Sequence, residues 1–400
     1  EDGIRDIGVT GVQTCALPIF SSAQGNTDEN GIGDFYYTPP AGFLTLCTAN
    51  LPDPEISPAD DESPSDYFNT VLYTGNQADD RKITGVGFQP NWVWIKERSS
   101  GSAHRLFDVI RGAGNVLQTD SAKEELSRPS DLDSFDADGF EINNSNATNE
   151  SGVTYVAWNW KAGGSGVTNT DGSITSTVSA SPESGFSIVS YTGVGAAATV
   201  GHGLSHNPDM VIFKNRDDFR SWFTYHKDLS ASSFINLSSA SAETTDTRTS
   251  GGQSRPFGPF TSTTFGVNID NETGHTNDYI AYCFHSVEGF SKFGSYTGNG
   301  SIDGAFVYTG FRPAWILFKC ISAVGSWILH DTRRSPDNVS DLHLRPNTSG
   351  SDDSGPNENI DILSNGFKHR GVSNNNANSL GETYIYMAFA ENPFKYSLAR

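Results

Sequence analysis

Carboxylates are the residues of this chain whose type suits them best to chemistry. Asp131, Asp133, Asp136 and Asp138 crowd together, and the run 351–355 sets Asp352 and Asp353 among serines and a glycine. Glycosidic hydrolysis needs two carboxyls held roughly 5 to 9.5 Å apart across a cleft. These residues lie in turn-rich sequence and define no such pair, so no catalytic residue is assigned. Ca²⁺ binding needs about six to eight oxygen ligands, and Asp136 and Asp138 are the candidates; the competing reading is an Asx turn, because the closing Glu of an EF-hand loop is missing. No Gly-x-Ser-x-Gly elbow, HExxH helix or phosphate-binding glycine loop is present. Cys15, Cys47, Cys283 and Cys320 show no CxxC spacing, which argues against a thiolate metal site and suggests no cofactor.

Two further side-chain groups could bind ligands. Trp160, beside Lys161 at the edge of a linker, is the candidate for stacking on a sugar ring, whereas Trp222 and Trp327 recur at one spacing and read as core anchors. Lys96, Lys214 and Lys319 each end an apolar run. They would form either a thrice-repeated site for an acidic ligand or polar strand ends that snorkel or pair with a carboxylate.

The elements that must position these groups are written three times. Tyr-Thr-Gly opens at Tyr73, Tyr191 and Tyr296; a proline follows at Pro90, Pro208 and Pro313, and the lysine at Lys96, Lys214 and Lys319. His104, Trp222 and Trp327 come next, then Asp108, His226 and Asp331, and each copy closes on Tyr-x-Ala-aromatic at Tyr155, Tyr279 and Tyr386. A repeated skeleton of this kind sets the architecture. The runs 92–96, 210–214 and 315–319 are almost continuously apolar, as in strands buried on both faces. Prolines suit the strand starts, where a missing N–H removes no ladder bond.

Composition agrees with strands. The 400 residues include 41 Gly, only 2 Met and 12 % aromatics, which favours short strands and turns over helices. The expected fold is all-β, with three tandem antiparallel β-sandwich repeats, jelly-roll or lectin-like, of about 100 residues each. A net charge of −21 repels phosphate backbones and disfavours nucleic acid as a partner. No run of about eighteen apolar residues would span a membrane.

In chain order, residues 1–19 are set apart as an artefact, since the run 9–19 looks like the translation of a short-read sequencing adapter; the implied source is an environmental assembly lacking its natural start. Residues 20–51 read as strand, turn, strand, too short to bury their own faces. Residues 52–66 hold four prolines and six acidic residues and read as a stiff, extended linker. Repeats follow at 67–162, 184–290 and 291–400, with a Gly- and Ser-rich linker at 163–183 in which 173–179 alternates enough for one edge strand. The polar loops 120–136, 238–264 and 333–359 vary most between copies, as in a display scaffold.

With its closing run 384–394, the threefold skeleton resembles the repeat modules of uncharacterised tail or fibre-like structural proteins of environmental, marine-type phages. Residues 20–51 resemble the closing strands of a SPRY-like β-sandwich. The resemblance implies a non-enzymatic virion protein, located on the particle exterior, with other virion proteins and a host-surface glycan as partners and a homotrimer as its assembly. The alternatives are a glycan depolymerase and a secreted or cell-surface adhesin or lectin.

Overall fold

A computed structural model describes residues 24–246, 257–371 and 374–397. The fold is all-β: the strands form antiparallel sheets, and among the described residues the helical elements are short 3-10 turns. The adapter-like run, with Cys15, lies outside the described residues.

The apolar strand that follows Pro90 and Pro208 sits inside a sheet; in the third copy it starts earlier than expected, at Phe311, and carries Pro313 at a register shift. In spatial order one sheet runs Phe68–Thr74, Thr154–Trp160, Trp92–Glu97, Arg105–Asp108. The same order recurs as Phe186–Thr192, Asp278–Phe284, Met210–Asn215, Phe223–His226, and as Ser291–Thr297, Thr383–Pro393, Phe311–Cys320, Ile328–Asp331. Each is backed by a three-stranded sheet, centred on Gly139–Ile142, Thr264–Val267 and Gly366–His369.

Alternation along the apolar strands divides the core in four. Val93 and Ile95 face the backing sheet and pack with Phe140 and Ile142; Val211 and Phe213 meet Phe265 and Val267; Ile316 and Phe318 meet Ile362 and Phe367. The intervening residues point the other way. Trp92 and Trp94, Met210 and Ile212, and Trp315 and Leu317 converge in one cluster shared by all three copies. The runs are apolar on both faces because each sheet has two apolar neighbours: its own backing sheet and the other copies.

The Tyr-Thr-Gly motif belongs to the frame. Its tyrosine stacks on the tyrosine of the closing strand in every copy: Tyr73 on Tyr155 at 5.1 Å, Tyr191 on Tyr279 at 5.3 Å and Tyr296 on Tyr384 at 4.9 Å. The three hydroxyls donate to the carbonyls of Thr148, Thr273 and Ala377. The glycine is required sterically, since a Cβ on Gly75, Gly193 or Gly298 would lie 1.9, 1.9 or 2.2 Å from a facing carbonyl oxygen.

Several expectations need correction. Residues 52–66 are not an extended spacer: Ile56 is buried in the shared cluster with Tyr67 and Phe290, and its N–H reaches the carbonyl of Glu288. One apolar residue among the charges is enough to dock the segment. Residues 163–183 are not free linker either. Ser176–Ser181 pairs with Phe186–Thr192 on one side and Val167–Asn169 on the other, so the edge strand is Val167–Asn169. The loops 120–136, 238–264 and 333–359 are not simply displayed, because part of each clamps the next copy, as described below. The segment 24–51 does not form the expected strand, turn, strand: it holds one isolated bridge, Asn26 to Phe35, and a 3-10 turn at Thr48–Asn50, and Tyr37 and Leu46 are 73 % and 89 % exposed.

Candidate functional site

The copies are joined by loops that reach forward around a closed ring. The N–H of Glu125 donates to the carbonyl of Arg216 in the second copy, that of Glu243 to Ile321 in the third, and that of Asp352 to Arg98 back in the first, at 2.8, 2.8 and 2.9 Å. The position eight after each lysine faces the same loops. Trp222 Nε1 donates to the carbonyl of Gln118 and Trp327 Nε1 to that of Asn236, while His104 Nε2 lies 3.2 Å from the carbonyl oxygen of Arg345. Trp222 and Trp327 are thus core anchors with their one donor satisfied.

Four residues further on, two seams carry buried ion pairs. Asp108 pairs with Arg111 and Asp331 with Arg334, all four side chains fully buried. Each aspartate also accepts from a ring of another copy: Tyr282 Oη donates to Asp108 at 2.7 Å and Trp158 Nε1 to Asp331 at 3.1 Å. The arginines pass the charge on, Arg111 to Glu125 and Arg216, Arg334 to Asp352 and Arg98. At the remaining seam the corresponding side chain of the closing strand is Met387, which has no proton to donate. There His226 replaces the aspartate, Leu229 the first arginine and Ile321 the second. The buried aspartate and both arginines are lost together, because a lone buried charge would go uncompensated; the loop acid is kept as the partly exposed Glu243, which accepts from the N–H and Oγ of Ser230.

The three lysines neither snorkel nor pair with the following aspartate. They continue the inward-facing phase of their strands and are fully buried. Lys96 Nζ donates to the carbonyl of Glu97, Lys214 Nζ to Asn215 and Ala122, and Lys319 Nζ to Cys320 and Ala240. Burial lowers their pKa values to about 8, 7 and 8. A folded-state pKa below the unfolded 10.5 means the unfolded chain binds more protons, so stability rises with pH through this window. Between about pH 7 and about pH 9.5 the urea midpoint is expected to climb, and Lys319→Met to reduce that climb by roughly one third. An unchanged climb in the variant would remove Lys319 from this role.

The broken seam lies beside a cavity of about 490 Å³, lined by Leu229, Tyr225, Phe260, Phe257, Lys227 and Asp209 among others. Its volume is that of a small-ligand site, which typically spans about 300–1,000 Å³. Tyr225 and Phe260 stack at 3.9 Å with planes 20° apart, and Phe257 meets Tyr225 edge-on. Lys227 and Asp209 pair at 3.2 Å on the polar side, and Asp209 also accepts from the N–H and Oγ of Ser286. The position of Tyr225 is held by buried Phe107 in the first copy and by buried His330 in the third. Tyr225 alone of the three is partly open. Nothing in the sequence reading pointed to Tyr225 or Phe260. The available signal was the step from Asp108-x-x-Arg111 and Asp331-x-x-Arg334 to His226-x-x-Leu229.

The sequence-derived candidates fall elsewhere. Trp160 is 1 % exposed, packed against Trp92 at 4.4 Å and Phe68 at 4.8 Å inside the shared cluster, so it cannot stack on a sugar. Lys161 leans over the ring of Tyr67 instead. Asp136 pairs with Lys82 at 2.8 Å, which holds its carboxyl below the usual range. Asp138 accepts from the N–H groups of Gly85 and Gly87 and is lowered by them. Both carboxylates are thus engaged across the sheet and not in local Asx turns, and among the described residues no group of three or more His, Cys, Asp or Glu side chains is arranged to hold a metal. No described helix is long and apolar enough to cross a membrane.

The fold and seams define an all-β protein of antiparallel sheets gathered around one shared core. The chain belongs to the family described as a domain of unknown function, DUF7483, whose profile matches residues 63–393. No curated protein and no solved structure matches it.

Proposed function

We propose that this chain is a non-enzymatic structural protein of a phage virion, a tail or fibre component made of three tandem β-sandwich modules, and that its second module binds a glycan. The observation that carries the reading is a break in the threefold frame: one seam gives up its ion pair, and an aromatic-walled cavity lies beside it. Frame that is repeated serves stability, whereas a feature built once needs a separate reason. Flat apolar ring faces beside Lys227, Asp209 and serine hydroxyls suit a pyranose, which presents an apolar face and a rim of hydroxyls. The phage assignment rests on the resemblance of the repeated skeleton. The acidic groups first singled out support a non-enzymatic reading, since Asp131 lies 3.6 Å from Arg105 and Asp136 is paired with Lys82.

A glycan array followed by product analysis tests this. Binding without cleavage is expected, weakened at least about tenfold in Phe260→Ala, roughly the loss of 1.4 kcal/mol. Released oligosaccharide would establish the depolymerase reading instead, and an array without any bound glycan would overturn the ligand assignment. Light scattering reads the assembly: 43.1 kDa for one chain, three times that for the homotrimer implied by the resemblance.

A further inference from the structure

Histidine is unevenly placed in this ring. His330, His343 and His369 are fully buried in the third copy, and His330 and His369 lie against Phe318 between its sheets. By strand register the corresponding residues are apolar or aromatic in the other copies: Phe107, Val116 and Ile142 in the first, Tyr225, Phe234 and Val267 in the second. Two more buried imidazoles stand at the seams of the third copy. His104 faces its loop through the carbonyl of Arg345, and His226 occupies the seam between the second and third copies. The seam between the first and second copies has Trp222 and an Asp–Arg–Glu–Arg chain in these places.

The surroundings of each ring oppose a second proton. His369 is enclosed by Tyr296, Phe318 and Phe367, and neither ring nitrogen has a hydrogen-bond partner among the described residues. The charged neighbours of His369 in sequence, Lys368 and Arg370, are engaged with Asp303 and Asp361. His330 meets only the neutral Ser340 hydroxyl and Glu358 carbonyl, with the His343 ring 5.7 Å away and the Arg334 charge nearby. His343 is the best provided, with Asp353 and Glu358 at 3.6 and 3.9 Å, but Arg345 shares both carboxylates. His104 Nδ1 accepts from Trp94 Nε1 at 2.9 Å, a bond that protonation breaks, and Lys96 and Arg334 add positive charge around it. His226 Nδ1 accepts from the N–H of Asp228, and Lys227, Asp228 and Asp209 are the charges around it.

We propose that these five histidines make the third copy an acid-sensitive element, which loosens and frees both of its seams at mildly acidic pH while the first and second copies stay joined. Burial lowers all five pKa values below 6.5, to about 3 for His369 and about 4 for His226. The sign follows: the stability these groups confer is complete above pH 6.5, where the unfolded chain is also neutral, and is lost as pH falls toward the folded values. The other imidazoles lowered by burial, His202 and His285, bond to the carbonyls of Thr261 and Ser286 within the second copy.

Hydrogen exchange on the whole chain, corrected for the intrinsic pH dependence of exchange, tests the proposal. Peptides covering 311–320 and 360–369, with the clamping loops 236–243 and 345–352, are expected to lose protection at least about half a pH unit above those covering 92–97 and 154–160. The variant His330→Phe/His369→Ile, which copies the residues of the first copy, should lower that transition by about one pH unit. Simultaneous loss across all three copies in the wild type would overturn the proposal even if the variant did not fold. A folded variant with an unmoved transition would overturn it as well.

Discussion

Arg334→Leu is expected to remove about 3–5 kcal/mol of stability, because it leaves the carboxylate of Asp331 buried and uncompensated. Trp158 Nε1 and two loop N–H groups would still donate to Asp331, but none carries a charge. Asp331→Asn/Arg334→Leu should lose clearly less than the two single changes added together, since both charges leave at once. The urea midpoint with an unchanged m-value reads both. Strict additivity would mean that the pair does not act as a unit. The protein has carried out a version of this change itself, at the seam where Met387 offers no donor and His226 and Leu229 replace Asp and Arg.

Trp160→Ala should be comparably severe, at about 3–5 kcal/mol, through lost transfer energy and the cavity left behind. The indole touches Trp92, Phe68, Trp315 and Phe389, which come from two copies, so the void would open at their junction. Glycan binding by whatever fraction remains folded should be unaltered. Full stability with lost glycan binding would restore the sugar-stacking role that burial removes.

How far the sequence could be read follows from these residues. The repeated prolines, the Tyr-Thr-Gly tyrosines and the clamping tryptophans were legible because their spacing recurs and recurrence reports frame; the closing motif of the third copy was set two residues late, since Tyr384 and not Tyr386 stacks on Tyr296. The all-β class followed from composition and from apolar runs bounded by turns. The shared core was only half legible: a run apolar on both faces demands two neighbours, but periodicity does not say whether the second is a backing sheet or another copy. Trp160 was misread for this reason. It stands next to a linker in the chain, yet in register it lies between Phe68 and Trp92. The lysines misled in the same way, since Lys96 shares the inward phase of Trp92 and Trp94 although its charge suggests an outward one. The cavity was not legible at all, because Tyr225 and Phe260 meet across about thirty-five residues and between two sheets, a distance no local pattern spans.

Closing a ring through a common core also dictates an order of events during synthesis. The first copy leaves the ribosome with Trp92, Trp94, Trp158 and Trp160 on a face that is covered only when Phe284, Trp315 and Phe389 arrive. The Arg98–Asp352 link joins residues 254 positions apart. At roughly 5–20 residues per second, the waiting time is on the order of 10–50 s. Throughout that interval the nascent chain presents a sticky aromatic wall, the kind of surface that recruits chaperones and promotes aggregation. Shortening the chain by one copy would therefore yield an open, association-prone fragment, and the last hundred residues act as the closing piece that makes the earlier ones soluble.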